Sequence, residues 1–120
     1  MIKFSTKRKN KEISFEAQDG IRRLLLSNNK FVFENEKNER IGDIYDWASD
    51  FSEGYAVVKN SGSYWYINKE GKSEFGEFMY ATKFKDGKAN VELYTNKSAV
   101  LYRSGKIELQ SHISDNEQSL

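Results

Sequence analysis

The sequence predicts an all-β fold of stacked β-hairpin repeats, antiparallel and either solenoid-like or a curled sheet, with at most short helical turns. Three observations carry this. A pattern recurs every 33–34 residues, each copy opens on an acid–Gly turn followed by an alternating run, and only two short stretches have lengths that suit a helix. Phe51-Ser52-Glu53-Gly54-Tyr55-Ala56-Val57-Val58 aligns with Phe84-Lys85-Asp86-Gly87-Lys88-Ala89-Asn90-Val91 at an offset of 33, both reading aromatic, x, acid, Gly, x, Ala, x, Val. Upstream, Trp47-Ala48 meets Tyr80-Ala81; downstream, Trp65-Tyr66-Ile67 meets Ala99-Val100-Leu101 at an offset of 34, the extra residue falling in a loop. A fainter copy lies 34 residues earlier, with Asp19-Gly20-Ile21 under Glu53-Gly54-Tyr55 and Phe31-Val32-Phe33 under Trp65-Tyr66-Ile67. The expected units are 13–46, 47–79 and 80–113 of a single domain over 1–113, with a flexible tail over 114–120.

The elements follow in chain order. In the first unit, strands are expected over 21–26 and 30–34 around Ser27-Asn28-Asn29. In the second, Glu53-Gly54 makes a tight turn that exploits the freedom of Gly at positive φ. Strands follow over 55–59 and 64–68, joined by Asn60-Ser61-Gly62-Ser63, because both runs alternate and are rich in β-branched and aromatic residues. The third repeats this over 88–93 and 98–102, joined by Tyr94-Thr95-Asn96-Lys97. Lys69-Glu70-Gly71 and Arg103-Ser104-Gly105 turn into short strands starting at Lys72 and Lys106. Residues 43–50 and 77–83 occupy equivalent places and are read as short connectors. One hairpin is marginal in water, so the core must come from stacking units. Alternation places Leu24, Phe31, Phe33, Ala56, Val58, Trp65, Ile67, Ala89 and Val91 inside.

These residues resemble the bacterial WG-repeat family, whose unit reads approximately aromatic-x-x-Gly-x-Ala-x-Val, a short hairpin, Trp-Gly-Tyr-Ile-Asp, then x-x-Gly-Lys. Phe51, Gly54, Ala56, Val58, Trp65, Ile67, Gly71 and Lys72 match in the second unit; Phe84, Gly87, Ala89, Val91, Gly105 and Lys106 match in the third. The sequence departs from that pattern where Tyr66 follows Trp65 in place of Gly, where Ala99 replaces the Trp, and in lacking proline. The resemblance implies an all-β repeat fold and a bacterial source, and it transfers no catalytic residue.

Composition narrows the chemistry. The 120 residues include no Cys, which excludes a disulfide scaffold, thiolate zinc sites and cysteine nucleophiles. No apolar run is longer than that of Tyr55-Ala56-Val57-Val58, too short for a transmembrane helix or a signal-peptide core, so the expected compartment is the cytoplasm and no membrane partner is expected. His112, the single histidine, stands in a polar stretch, and there is no phosphate loop or nucleophile elbow. Asp43, Asp46 and Asp50 have helical spacing but no EF-hand pattern around them. The reading is a non-enzyme with no cofactor and no metal.

Charge is balanced overall, with 19 Lys+Arg against 18 Asp+Glu, but it is distributed in blocks. Residues 1–30 carry eight basic and three acidic groups, whereas 31–54 carry seven acids (Glu34, Glu36, Glu39, Asp43, Asp46, Asp50, Glu53) and two bases. A dedicated nucleic-acid binder would carry a basic footprint over the whole domain, so nucleic acid is not the expected partner. Tyr55, Val57, Tyr64 and Tyr66 fall on the strand face opposite Trp65 and form either an outward stripe for a partner or a face that a neighbouring strand covers. The function expected is therefore protein binding, and in its specific form an immunity or inhibitor protein that neutralises a bacterial toxin by direct contact. A basic nuclease toxin would be complemented by the acidic block, with Tyr55, Tyr64 and Tyr66 supplying residence time. The alternatives are a ligand- or carbohydrate-binding module using Trp47, Trp65, Tyr64, Tyr66 and Tyr80, or a weak nucleic-acid binder using Lys7, Arg8, Lys9, Lys11, Arg22 and Arg23.

Overall fold

The computed structural model describes residues 12–110, and every regular element in them is a β-strand. Strands β1 (Ile13–Ser14), β2 (Arg22–Leu25), β3 (Phe31–Glu34) and β4 (Arg40–Tyr45) form one antiparallel sheet in chain order. A second comprises β5 (Trp47–Ala48), β6 (Tyr55–Asn60), β7 (Ser63–Asn68) and β8 (Ser73–Phe78); a third comprises β9 (Tyr80–Ala81), β10 (Lys88–Glu92), β11 (Ser98–Tyr102) and β12 (Ile107–Leu109). The sheets coincide with the expected units. The expected tail, His112 and the basic residues Lys7, Arg8, Lys9 and Lys11 lie outside the described residues.

The two connectors of the sequence reading are strand instead. Residues 43–50 span the end of β4 and all of β5, and 77–83 span the end of β8 and all of β9. One residue, Asp46 or Met79, separates the last strand of one sheet from the first strand of the next. Tyr45 pairs with Phe31 while Trp47 pairs with Lys59, so cross-strand pairing on either side holds the segment extended and leaves no slack for a helical turn. This handover stacks the sheets.

Two apolar layers lie between the three sheets. Ile21 and Phe33 of the first sheet pack on Ala48, Phe51, Ala56, Val58 and Ile67 of the second. Val57, Tyr66 and Phe78, from the other face of the second sheet, pack on Phe84, Ala89, Val91, Ala99 and Leu101 of the third. The middle sheet is thus covered on both faces, and its strands β6 and β7 need apolar residues at consecutive positions. All nine residues expected inside are buried or half-buried, Phe31 and Trp65 being the half-buried two.

Every unit is joined to the next by the same devices. Asp19-Gly20, Glu53-Gly54 and Asp86-Gly87 all have positive φ at both positions, between 55° and 92°, the two-residue turn whose twist matches a β-hairpin. The Asp19 carboxylate accepts from the Gly54 N–H at 2.8 Å, and the Glu53 carboxylate accepts from Asp86 N–H at 2.7 Å and Gly87 N–H at 2.9 Å. Each acidic turn is thereby bound to the turn of the following unit. A ring contact accompanies this bond: Phe33 meets Phe51, and Tyr66 meets Phe84, both at 5.0 Å between centroids.

The second contact corrects the register of the faint first unit. Arg23 pairs with Phe33 as Val57 pairs with Tyr66, so Phe33 is the counterpart of Tyr66 and not of Ile67. The first hairpin turns through Ser27-Asn28-Asn29, closed by a hydrogen bond from Leu26 N–H to the Lys30 carbonyl. The second turns through Ser61-Gly62 between the paired Asn60 and Ser63. That difference of one residue in the loop moves β3 by one position, and a slip of one turns every side chain to the other face.

Candidate functional site

The acidic block does not form one open field. Glu34, at the end of β3, accepts from Arg22 at 2.8 Å. Asp46 accepts from the Lys30 ammonium at 2.5 Å and from Ser61 N–H at 3.0 Å, and the Lys30 bond together with that N–H holds its carboxyl below the usual carboxylate range. Asp50 lies 3.2 Å from Arg23, and Glu53 is the inter-unit acceptor, with Arg103 a further 3.6 Å from it. Glu39 accepts from the Asn35 side-chain amide at 3.0 Å, so five of the seven acids have partners within the molecule. Glu36, Glu39 and Asp43 are exposed, and Glu36 and Glu39 line a shallow hollow of about 270 Å³ with Asp19, Asn35, Lys37 and Lys69. Nor do Asp43, Asp46 and Asp50 share a helix face, since they lie in a strand, a one-residue link and a loop. Among the described residues, no group of three or more His, Cys, Asp or Glu side chains is placed to hold a metal.

The outward reading of the stripe is corrected by the third sheet. Val57 and Tyr66 are 0% exposed, and Tyr55 and Tyr64 are half-buried against the same apolar layer. The stripe does lie opposite Trp65, as alternation requires, but the next unit covers it. Tyr66 donates its hydroxyl to the Thr82 carbonyl at 2.6 Å, and burial pushes its pKa well above the usual tyrosine value. Tyr55 packs on Phe75 at 5.2 Å and Phe84 at 5.3 Å. Of the three tyrosines expected to meet a partner, Tyr66 is fully buried, Tyr55 and Tyr64 are half-buried, and Tyr64 joins an exposed aromatic row.

That surface is an aromatic row on the flank of the stack. Tyr64 sits between Trp47 at 6.3 Å and Tyr80 at 5.4 Å, with the Lys59 ammonium 5.2 Å from its ring centroid. Trp47 and Tyr80 are 39% and 48% exposed, and the four side chains border a hollow of about 210 Å³ with Ala81. Met79 and Ile44, in the neighbouring stretches of chain, are also exposed. Trp47 and Tyr80 are repeat equivalents at the start of β5 and β9, and the aromatic residue before Ala in the second and third units is the sequence signal that marks this row.

Comparison with protein-family models, curated proteins and solved structures returned no match.

The basic residues proposed for nucleic acid are also engaged where they are described. Arg22 is bonded to Glu34 and to Asn38 at 2.6 Å. Arg23 lies at the interface of the first two units, donating to the Ala48 carbonyl at 2.7 Å and stacking over Phe15 at 4.3 Å. No helix is long and apolar enough to cross a membrane among the described residues.

Proposed function

We propose that this protein is a non-enzymatic protein-binding module of the WG-repeat type. Its specific reading is an immunity or inhibitor protein that blocks a bacterial toxin by direct contact in the cytoplasm. The observation that carries the binding role is the row of Trp47, Tyr64 and Tyr80. Exposed aromatic side chains held in place by a rigid scaffold are the residues that dominate interface energies. Paired strands fix the row on both sides, so little side-chain order has to be acquired on binding. The toxin reading rests on charge. Glu36, Glu39 and Asp43 remain exposed, and they would steer a basic partner such as a nuclease domain.

A second reading is supported by the same row: Trp and Tyr faces beside a polar hollow suit a sugar ring. Titration with glycans while tryptophan fluorescence is followed separates the two, because Trp47 would report a bound saccharide directly.

The deciding experiment is capture of partners from the native host by the intact protein and by Trp47→Ala/Tyr80→Ala, at low and high salt. A single basic partner retained by the parent and lost by the double variant supports the inhibitor reading, and that partner is then assayed for nuclease activity. Equal capture by parent and variant, with both folded, refutes the row as the contact surface.

A further inference from the structure

The third unit carries a copy of the surface on which one unit seats the next, and no further sheet among the described residues is seated on it. On the second unit, Ser52 donates its hydroxyl to the Phe84 carbonyl at 2.7 Å, Glu53 accepts the Asp86 and Gly87 N–H groups, and Tyr55 and Tyr66 hold the Phe84 ring. The repeat places Lys85, Asp86, Lys88 and Val100 at these positions in the third unit. There they border a hollow of about 730 Å³ with Thr82, Lys83, Asn90 and Gln110. Val100 and Lys88 stand here where the second unit has Tyr66 and Tyr55. Among the described residues the Asp86 carboxylate accepts no hydrogen bond, whereas its counterparts Asp19 and Glu53 both do.

Its charge differs in sign from the earlier units. Glu16 and Asp50 become Lys83, Gln18 and Ser52 become Lys85, and Ile21 and Tyr55 become Lys88. Lys85 and Lys88 are bonded to each other through both backbone groups, at 2.8 and 3.2 Å, which sets two like charges across one pair. None of the three lysines has an ion-pair partner among the described residues.

We infer that this terminal hollow binds an acidic peptide segment of a partner protein, bearing one large apolar side chain among Asp and Glu residues. The apolar group takes the place that Phe84 occupies on the second unit, over Val100. A backbone N–H of the segment donates to Asp86, and its carboxylates meet Lys83, Lys85 and Lys88. The surface continues the unit-to-unit interface already present twice in the molecule, and its lysines select an acidic version of the segment that fits there. This site is separate from the aromatic row and opposite in charge preference to the acidic surface, so it stands independently of the inhibitor reading.

The test uses the full chain and a fluorescein-labelled peptide, Asp-Glu-Phe-Glu-Asp-Gly-Asp-Glu, followed by fluorescence anisotropy. Saturable binding is expected, weakening about tenfold in Lys85→Glu/Lys88→Glu and falling with added salt. Asp86→Gly tests the backbone contact with a distinctive sign. Glycine suits the φ of 55° at this position, and removing a negative charge would strengthen a purely electrostatic attraction, yet several-fold weaker binding is expected. Circular dichroism confirms that both variants fold. Binding as tight with the Phe replaced by Gly, equal binding of a lysine-for-acid peptide, tighter binding to Asp86→Gly, or no saturable binding overturns the inference. So does displacement by a single-stranded oligonucleotide that binds more tightly than the peptide.

Discussion

The two inter-unit layers share a plan and differ in how one slot is filled. In both, an acidic turn accepts backbone N–H groups from the next turn and a return-strand ring meets an incoming Phe. Between the second and third units the slot beside that ring holds Val57, in a layer of Tyr55, Tyr66, Phe75, Phe78 and Phe84. Between the first and second the same slot holds Arg23. A guanidinium is accommodated there because Asp50 lies 3.2 Å away, the Ala48 carbonyl accepts from Nη1, and Phe15 and Phe31 present ring faces at 4.3 and 5.4 Å. Asp50 thus has its partner across the interface, while its counterpart Lys83 is exposed and has no ion-pair partner among the described residues. One geometry tolerates either chemistry, provided that a buried charge brings its counter-charge with it.

The sharpest way to break the comparison is in the apolar layer. Phe84→Ala removes the ring that Tyr55, Tyr66 and Phe75 all contact, and urea denaturation should show a loss of about 3–5 kcal/mol. Arg23→Ala should cost less, about 2 kcal/mol, chiefly because Asp50 and the Ala48 carbonyl lose their partner. Arg23→Met combined with Asp50→Ser should recover most of that loss if the slot is indifferent to charge; a recovery near zero in the same denaturation series would show that the ion pair itself is required.

Tyr66→Phe sharpens the comparison at one hydroxyl. The variant should lose about 1 kcal/mol at neutral pH with the bond to the Thr82 carbonyl. Because burial raises the folded pKa of Tyr66, the native protein keeps that hydroxyl protonated above pH 10 while the unfolded chain ionises. Stability is therefore fully present below that pH and falls above it, and Tyr66→Phe should flatten the alkaline limb of a thermal-denaturation pH series. The smallest effect belongs to the exposed handover residue. The bonds from Lys30 and Ser61 lower the folded pKa of Asp46, so its contribution is present above the ordinary carboxylate pKa and fades as pH falls through the folded value. Asp46→Asn should make the acid limb slightly shallower.

The third unit was legible because its turns repeat the second's, and Gly54/Gly87 with Gly71/Gly105 mark four of them. The first was legible only in outline. Asn38, at a φ of 64°, stands where Gly71 stands at 85°, and Asn35 accepts from Lys37 and Glu39 N–H groups as Asn68 does from Glu70 and Lys72. An Asn can serve a left-handed turn through its own side chain, so the turn survives when the glycine signal has gone. The candidate site was legible in part. Trp47, Tyr64 and Tyr80 were among the aromatics singled out from the sequence, but alternation left two outcomes for the stripe through Val57 and Tyr66, and the covered one holds.

What the sequence determined by itself is local and periodic: strands, tight turns, the repeat length and which residues alternate together. Each of these depends on backbone conformation within a few residues, and the pattern of glycine, acid and β-branched residues specifies it directly. Tertiary structure alone decided which of two apolar faces meets water. Alternation sorts side chains into two sets without naming the covered one, and in a stack that choice depends on the neighbouring sheet. The same stacking turned the acids of the tight turns into bonds between units, because carboxylates 33–35 residues from their partners meet only once the sheets are superposed.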